Sequence, residues 1–146
     1  SRSQFTDTKQ LELNGLLKQY LQDYEEVYDY RNIEVTIDEQ DIFNVTMNES
    51  LAVALLTNLL KNAFVHNIDG GHIRITVTKN SITFRNSGVE NPLDKEHIFE
   101  RFYQGTKKEG STGLGLAIAD SICRLQHLSI RYYFEQKEHC FEISRQ

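Results

Sequence analysis

Proline occurs only once in this 146-residue chain, at Pro92, and no stretch is rich in glycine, serine or proline. No flexible linker therefore divides it, and a single domain over residues 1–146 is expected. No segment repeats at a fixed period, which excludes solenoids and propellers. Cysteine is scarce: Cys123 and Cys140 fall in apolar patterns with neither C-x-x-C spacing nor a nearby histidine pair. A disulfide framework or zinc site is not expected, and buried reduced thiols suit a cytosolic setting. The longest apolar run, LAVALL at 51–56, is far short of the roughly 20 residues that cross a bilayer, and the N-terminus has no basic-then-apolar leader. A soluble chain without direct membrane contact is expected, as a complete protein or as a piece of an anchored one. Positive charge is not in excess: 16 Lys and Arg face 21 Asp and Glu, for a net charge of −5, and the basic residues are scattered. Nucleic acid is not an expected partner.

What is present is periodic. Hydrophobic residues make up 39% of the chain, enough for one core. Leu13, Leu16, Leu17, Tyr20, Leu21, Tyr24, Val27 and Tyr28 recur at three- and four-residue steps and predict a helix over 12–28. IEVTI (33–37) alternates, and IFNVT (42–46) reads as a short strand. A second helix spans 49–66, with Leu51, Leu55, Leu56, Leu59, Leu60 and Ala63 inward. Ile73, Ile75 and Val77, a Lys79-Asn80 turn, then Ile82 and Phe84 predict a hairpin. Residues 86–112 read as loop with one short helical turn, 113–126 as a third helix, and LSIRYYFE and HCFEIS as a closing hairpin. Strands apolar on one side only predict a two-layer α/β sandwich of the α+β class, with a mixed sheet of about five strands and three helices on one face.

Four stretches carry chemistry. In NLLKNAFVHN (58–67), Asn58, Asn62 and His66 stand at four-residue steps on one helix stripe beside a leucine face. Buried amides want partners, so the stripe is either backbone-satisfied structure or a ligand surface. In GSTGLGLAIADSIC (110–123), Gly110, Gly113 and Gly115 lead a loop into a helix whose first N–H groups suit a phosphate. Close packing alone would also explain Gly113. No lysine follows as in a Walker A loop, and no strand precedes as in a dinucleotide fold. In FRNSG (84–88) a strand ends at Asn86 and Gly88 permits a sharp turn, which taken alone is an ordinary turn. In HIFERFYQG (97–105) three aromatics in a polar loop would anchor a lid by burying their rings.

Taken in this order, the four stretches resemble the N box, first glycine box, F box and second glycine box of the catalytic, ATP-binding domain of sensor histidine kinases, in the GHKL ATPase superfamily. The resemblance covers about residues 5–145, and the ERFY wording points to the kinases. It implies the Bergerat fold, ATP and Mg²⁺ as cofactors, and transfer of the γ-phosphoryl group to a histidine on a separate dimerisation domain absent from this chain. A response regulator would act downstream, in the cytoplasm, with the parent protein anchored in the inner membrane. Residue by residue, Asn62 would coordinate Mg²⁺ and Asn58 would contact a phosphate or the metal's water shell, these two being the catalytic pair. His66 would pack near the ribose and phosphates, Asn86 would accept from the adenine amino group, and Gly88 would give adenine its space. Gly113 and Gly115 would hinge the lid, and the amides of 113–116, including Leu114 and Leu116, would face the phosphates.

Departures from the family pattern are Val65 and Gln104, where basic residues are common, Glu90 for the second glycine of D-x-G-x-G, and Asn86 for the usual aspartate. The phosphate site is thereby short of cations, with Lys107, Lys108 and Arg101 as candidates to supply charge. The position one turn before the metal asparagine, a glutamate in hydrolytic branches, is Asn58, which cannot take a proton near neutral pH. Three readings compete: a histidine kinase module, a degenerate nucleotide-binding signalling module, and an anti-sigma-type Ser/Thr kinase of the same fold. The F-box wording disfavours the last.

Overall fold

The computed structural model describes residues 7–103 and 113–146. In chain order the elements are β1 (Lys9–Glu12), α1 (Leu13–Val27), a 3-10 turn (Asp29–Arg31), β2 (Glu34–Glu39), β3 (Asn44–Met47), α2 (Glu49–Val65), β4 (His72–Val77), β5 (Ser81–Asn86), α3 (Gly115–Leu125), β6 (Leu128–Glu135) and β7 (Glu138–Arg145). The main sheet has the order β2-β4-β5-β7-β6. Its β2–β4 pair is parallel and the other three pairs are antiparallel. The mixed five-stranded sheet and the α+β sandwich match the expectation. One strand was not anticipated. β1 pairs antiparallel with β3 as a separate two-stranded sheet, so IFNVT does not join the main one.

Helix α2 is the spine. Its N-cap is Asn48, whose Oδ1 accepts the Leu51 N–H at 3.0 Å, and Glu49 complements the helix dipole in the first turn. Leu51, Leu55, Leu56, Leu59, Leu60 and Ala63 are buried against the sheet residues Ile73, Ile75, Val77, Ile82, Phe84, Phe141 and Ile143, all in one core. Each fully buried leucine contributes about 1.5–3 kcal/mol. Helix α1 and its C-cap lean on this spine partly through a three-ring cluster, with Phe64 at 6.2 Å from Tyr24 and 5.3 Å from Tyr28 and the two tyrosines 6.4 Å apart.

The opposite sheet face carries no helix and is polar. There Glu138 is buried beneath Arg74, which donates to it through Nε and Nη2 at 2.8 and 2.6 Å, and beside the His72 Nε2 at 2.7 Å. The β6–β7 turn places Gln136 and Lys137 at φ of 52° and 62°, as a two-residue hairpin matched to the strand twist requires. Among the described residues no helix is long and apolar enough to cross a membrane.

Candidate functional site

The stripe on α2 faces a cleft of about 200 Å³ closed on the far side by the start of α3. Asn58, Lys61, Asn62, Val65 and His66 line it from α2 and its C-cap, Gly113 to Leu116 and Ile118 from the α3 side, and Tyr103 from the F-box loop. Seven of the predicted site residues are thus brought together: Asn58, Asn62, His66, Gly113, Leu114, Gly115 and Leu116. The two asparagines differ in how committed they are. Asn58 donates its amide N–H to the Ala54 carbonyl at 2.7 Å, within its own helix. Its Oδ1 faces Gly115, where an added Cβ would lie 3.0 Å away. Gly115 therefore lets the two helices meet at this point. The Asn62 amide has no side-chain hydrogen bond among the described residues and is half-buried, open to a ligand in the cleft.

Asn86 and Gly88 do not line this cleft. Asn86 ends β5 on the helix side of the sheet, 1% exposed. Its amide donates to the Ser87 carbonyl at 2.8 Å, while its Oδ1 is buried with no partner among the described residues. An orphan buried acceptor costs about 1–3 kcal/mol, so it is a place where a ligand donor would be stabilising. Gly88 is wedged between the His66 carbonyl oxygen, 2.8 Å from where a Cβ would stand, and the His139 ring, 3.2 Å away. This glycine ties the base-side turn to the C-cap of α2.

Residues without a predicted role hold that turn in place. The Ser87 hydroxyl donates to Asn67 Oδ1 at 2.7 Å and accepts the His72 N–H at 2.8 Å. Asn67 is fully buried and donates to the carbonyls of Ala63 and His72, joining the end of α2 to β4. His139 Nε2 donates to the Val89 carbonyl at 2.6 Å; its Nδ1 accepts from the Tyr132 hydroxyl at 2.8 Å, which itself accepts the Leu93 N–H at 2.9 Å. Burial pushes the His139 imidazole below its ordinary value, keeping it neutral as this pattern requires. The alternation of HCFEIS announces this residue, since His139 falls on the same side as Phe141 and Ile143. Lys61, also without a predicted role, stands next to Asn62 at the cleft edge.

Phe102 and Gly113 meet through their backbones. The Phe102 N–H donates to the Gly113 carbonyl at 2.6 Å, and Gly113 has φ of 77° with a would-be Cβ only 2.7 Å from the Phe102 Cα. A side chain there would meet both left-handed strain and a backbone clash. The three F-box aromatics behave differently from one another. Phe99 packs edge-on against Phe141 at 6.2 Å, Tyr103 lines the cleft, and Phe102 is 68% exposed. The expectation that all three bury their rings fails at Phe102, whose φ of 65° turns it outward under the Arg101 guanidinium. Gln104, Lys107, Lys108 and Gly110 lie outside the described residues.

The cleft's chemistry suits an anion. Among the described lining residues there is no carboxylate, and α3 starts without a side-chain cap or an acidic first turn, leaving N–H groups for a ligand. The donor set also fits Mg²⁺: one uncommitted amide oxygen, from Asn62, suits an octahedral ion that keeps mostly water and phosphate oxygens. Neither thiol takes part, since burial pushes Cys123 up to about 12 and Cys140 up to about 11.

Comparison with known proteins agrees with this geometry. The family model described as histidine kinase-, DNA gyrase B-, and HSP90-like ATPase matches residues 47–144. The heme sensor protein HssS of Staphylococcus aureus (strain Newman) is 33% identical over 127 residues, covering 84% of this chain and 28% of HssS. The sensor histidine kinase RppB of Synechocystis is 43% identical over 84 residues, or 51% of this chain and 18% of that protein. The chain thus spans well under a third of these relatives. Among solved structures, the catalytic domain of histidine kinase ThkA superposes with a TM-score of 0.81 at 25% identity, covering 94% of this chain and 93% of that one. By the family match and the likeness to HssS, the chain belongs to the histidine kinase-, DNA gyrase B- and HSP90-like ATPase family, in its sensor histidine kinase branch.

Proposed function

We propose that this chain is the ATP-binding catalytic domain of a two-component sensor histidine kinase, delivering the γ-phosphoryl group to a histidine on a separate dimerisation domain. The observation that carries the reading is the meeting, in one cleft with no carboxylate among its described lining residues, of the open Asn62 amide and the start of α3, which has no acidic residue in its first turn. Asn62 would hold Mg²⁺, which when bound neutralises phosphate charge. Asn58 presents its Oδ1 beside it, the first amides of α3 face the phosphates, and His66 flanks the ribose. The base is assigned to the turn behind the cleft, where the unpartnered Asn86 Oδ1 accepts from the adenine amino group beside Gly88. With no carboxylate among the described lining residues to activate water, the site is suited to a nucleophile brought from outside, and catalysis rests on positioning and charge neutralisation. A response regulator is the downstream partner in this reading. ThkA, a fold neighbour with a TM-score of 0.76, has been solved in complex with the response regulator protein TrrA. The domain would work in the cytoplasm as part of a membrane-anchored parent.

Calorimetric titration with ATP, with and without Mg²⁺, tests the reading. Binding should be strong only with the metal, and Asn62→Ala should weaken it while leaving the melting temperature of the ligand-free domain nearly unchanged. Equal binding by wild type and variant would remove the metal assignment, and no binding by wild type would remove the nucleotide.

A further inference from the structure

Val65, in the last turn of α2, is apolar and 7% exposed, so it offers the phosphates no charge. One turn earlier, Lys61 lines the same cleft beside Asn58 and Asn62. Its ammonium is exposed and forms no ion pair among the described residues. The helix itself provides none: the positions three and four residues away are Thr57, Asn58, Phe64 and Val65, and none is acidic. Across the cleft stands the start of α3, with no acidic residue in its first turn. A lysine normally finds an acidic neighbour on a helix surface. Among the described residues this one stands instead on an edge with no acidic neighbour, and its aliphatic stem can lie along the cleft rim with the charge projecting over the opening.

Resting on the ATP-binding reading above, we infer that Lys61 is a phosphate-contacting residue of the site, supplying from the position before the metal asparagine the positive charge that Val65 lacks. It acts on the β- and γ-phosphates and leaves the base and ribose untouched. The contact is a charge-assisted hydrogen bond at a solvent-facing edge, and it should therefore weaken as salt rises.

The test compares Lys61→Gln, which keeps helix propensity and stem length, and Lys61→Arg with wild type, titrating each calorimetrically with Mg-ATP, Mg-ADP and adenosine at two salt concentrations. Lys61→Gln should raise the Kd for Mg-ATP about tenfold, raise that for Mg-ADP less, and leave adenosine unchanged. Its Mg-ATP affinity should also depend less on salt, and Lys61→Arg should recover most of the loss. Equal Mg-ATP affinity in Lys61→Gln and wild type, with wild type binding well, overturns the inference and leaves the nucleotide reading standing. A loss equal for ATP and adenosine overturns it as well, because the lysine would then only support the helix. Failure of wild type to bind any of the three removes the nucleotide reading, and this inference with it.

Discussion

Arg31 closes the end of the helix that carries Phe64. Its Nη1 donates to the Phe64 carbonyl at 2.5 Å, its Nη2 to the Asn67 carbonyl at 2.7 Å, and its Nε pairs with Asp69 at 2.8 Å. The last carbonyls of a helix have no partner within it and carry the negative end of its dipole, so a buried guanidinium there is doubly favourable. Asn62 and His66 stand in the turn so held. With the Arg31 side chain only 13% exposed, Arg31→Ala should cost about 2–4 kcal/mol in urea unfolding. Arg31→Lys should recover less than half, because an ammonium lacks the fork that reaches two carbonyls at once. Asp69 is 82% exposed, and Asp69→Asn should cost under about 0.5 kcal/mol. A wild-type urea midpoint for Arg31→Ala would show that the cap contributes nothing.

Asn86→Asp should separate stability from affinity. The substitution restores the family's usual acceptor, but it removes the donor to the Ser87 carbonyl and sets a carboxylate against that oxygen in a buried position. The ligand-free domain should lose about 2–3 kcal/mol. ATP should restore more of the melting temperature in the variant than it adds to wild type, and GTP, which presents a carbonyl where adenine has an amino group, should compete poorly in both. Strong competition by GTP would remove Asn86 from the base site.

How much of this was legible in the chain depends on distance along it. The α2 stripe and both hairpins follow from local period, since neighbours three, four or two residues apart write the pattern directly. β1 did not show, because KQLE has one apolar residue, Leu11, and becomes a strand only by pairing with β3. The Arg31 cap bridges 33 residues to Phe64, and the clamp from His139 to Val89 bridges 50. No local rule reaches so far. His139 was half visible, as a polar residue on the apolar side of a strand, yet its partners required the fold. Asn67, the last residue of the N-box stretch, is a structural amide that holds α2 to β4 through bonds to the Ala63 and His72 carbonyls.

Two groups should shape stability on the acid side. His139 is held below its ordinary value of 6.5 by burial, so on acidification the unfolded chain takes a proton that the folded one resists. Its contribution is complete above 6.5 and is lost as pH falls from there toward the folded value. Glu138 is held below 4.5, chiefly by its hydrogen bonds from Arg74 and with help from His72, against an opposing effect of burial. Its contribution is complete above 4.5 and is lost as pH falls through the lower folded value. Unfolding free energy against pH should therefore fall in two steps, with His139→Gln removing the upper and Glu138→Gln the lower. A curve unchanged by either substitution would contradict these assignments.

The Phe102–Gly113 contact gives a further substitution. Gly113→Ala faces φ of 77° and a contact of 2.7 Å with the Phe102 backbone, so it should cost about 1–3 kcal/mol where the two backbones meet. Mg-ATP binding should weaken more than that of adenosine, since the displaced start of α3 faces the phosphates. An equal loss for both would assign Gly113 to the scaffold alone.

Incubated with ATP, this chain should neither label itself nor turn over nucleotide, yet it should phosphorylate a dimerisation domain supplied in trans. Each of its five histidines has a reason to stay unlabelled. His139 is buried and engaged through both ring nitrogens, and His72 lies on the open face of the sheet against Glu138. His127 follows α3 on the side of β6, and His66 belongs to the cleft wall itself. His97 is the one that invites suspicion, being exposed and paired with Asp94 at 2.5 Å, a contact that raises its affinity for a proton. His97 is, however, not among the described residues lining the cleft. Among the described lining residues water has no carboxylate to activate it, Asn58 standing one turn before Asn62. Radiolabelled ATP should accordingly leave the isolated chain blank, and addition of the dimerisation domain should yield an acid-labile, base-stable band in that partner. Steady hydrolysis by the chain alone would place it with the hydrolytic members of its family, and a label lost in His97→Gln would make that exposed pair a phosphoacceptor.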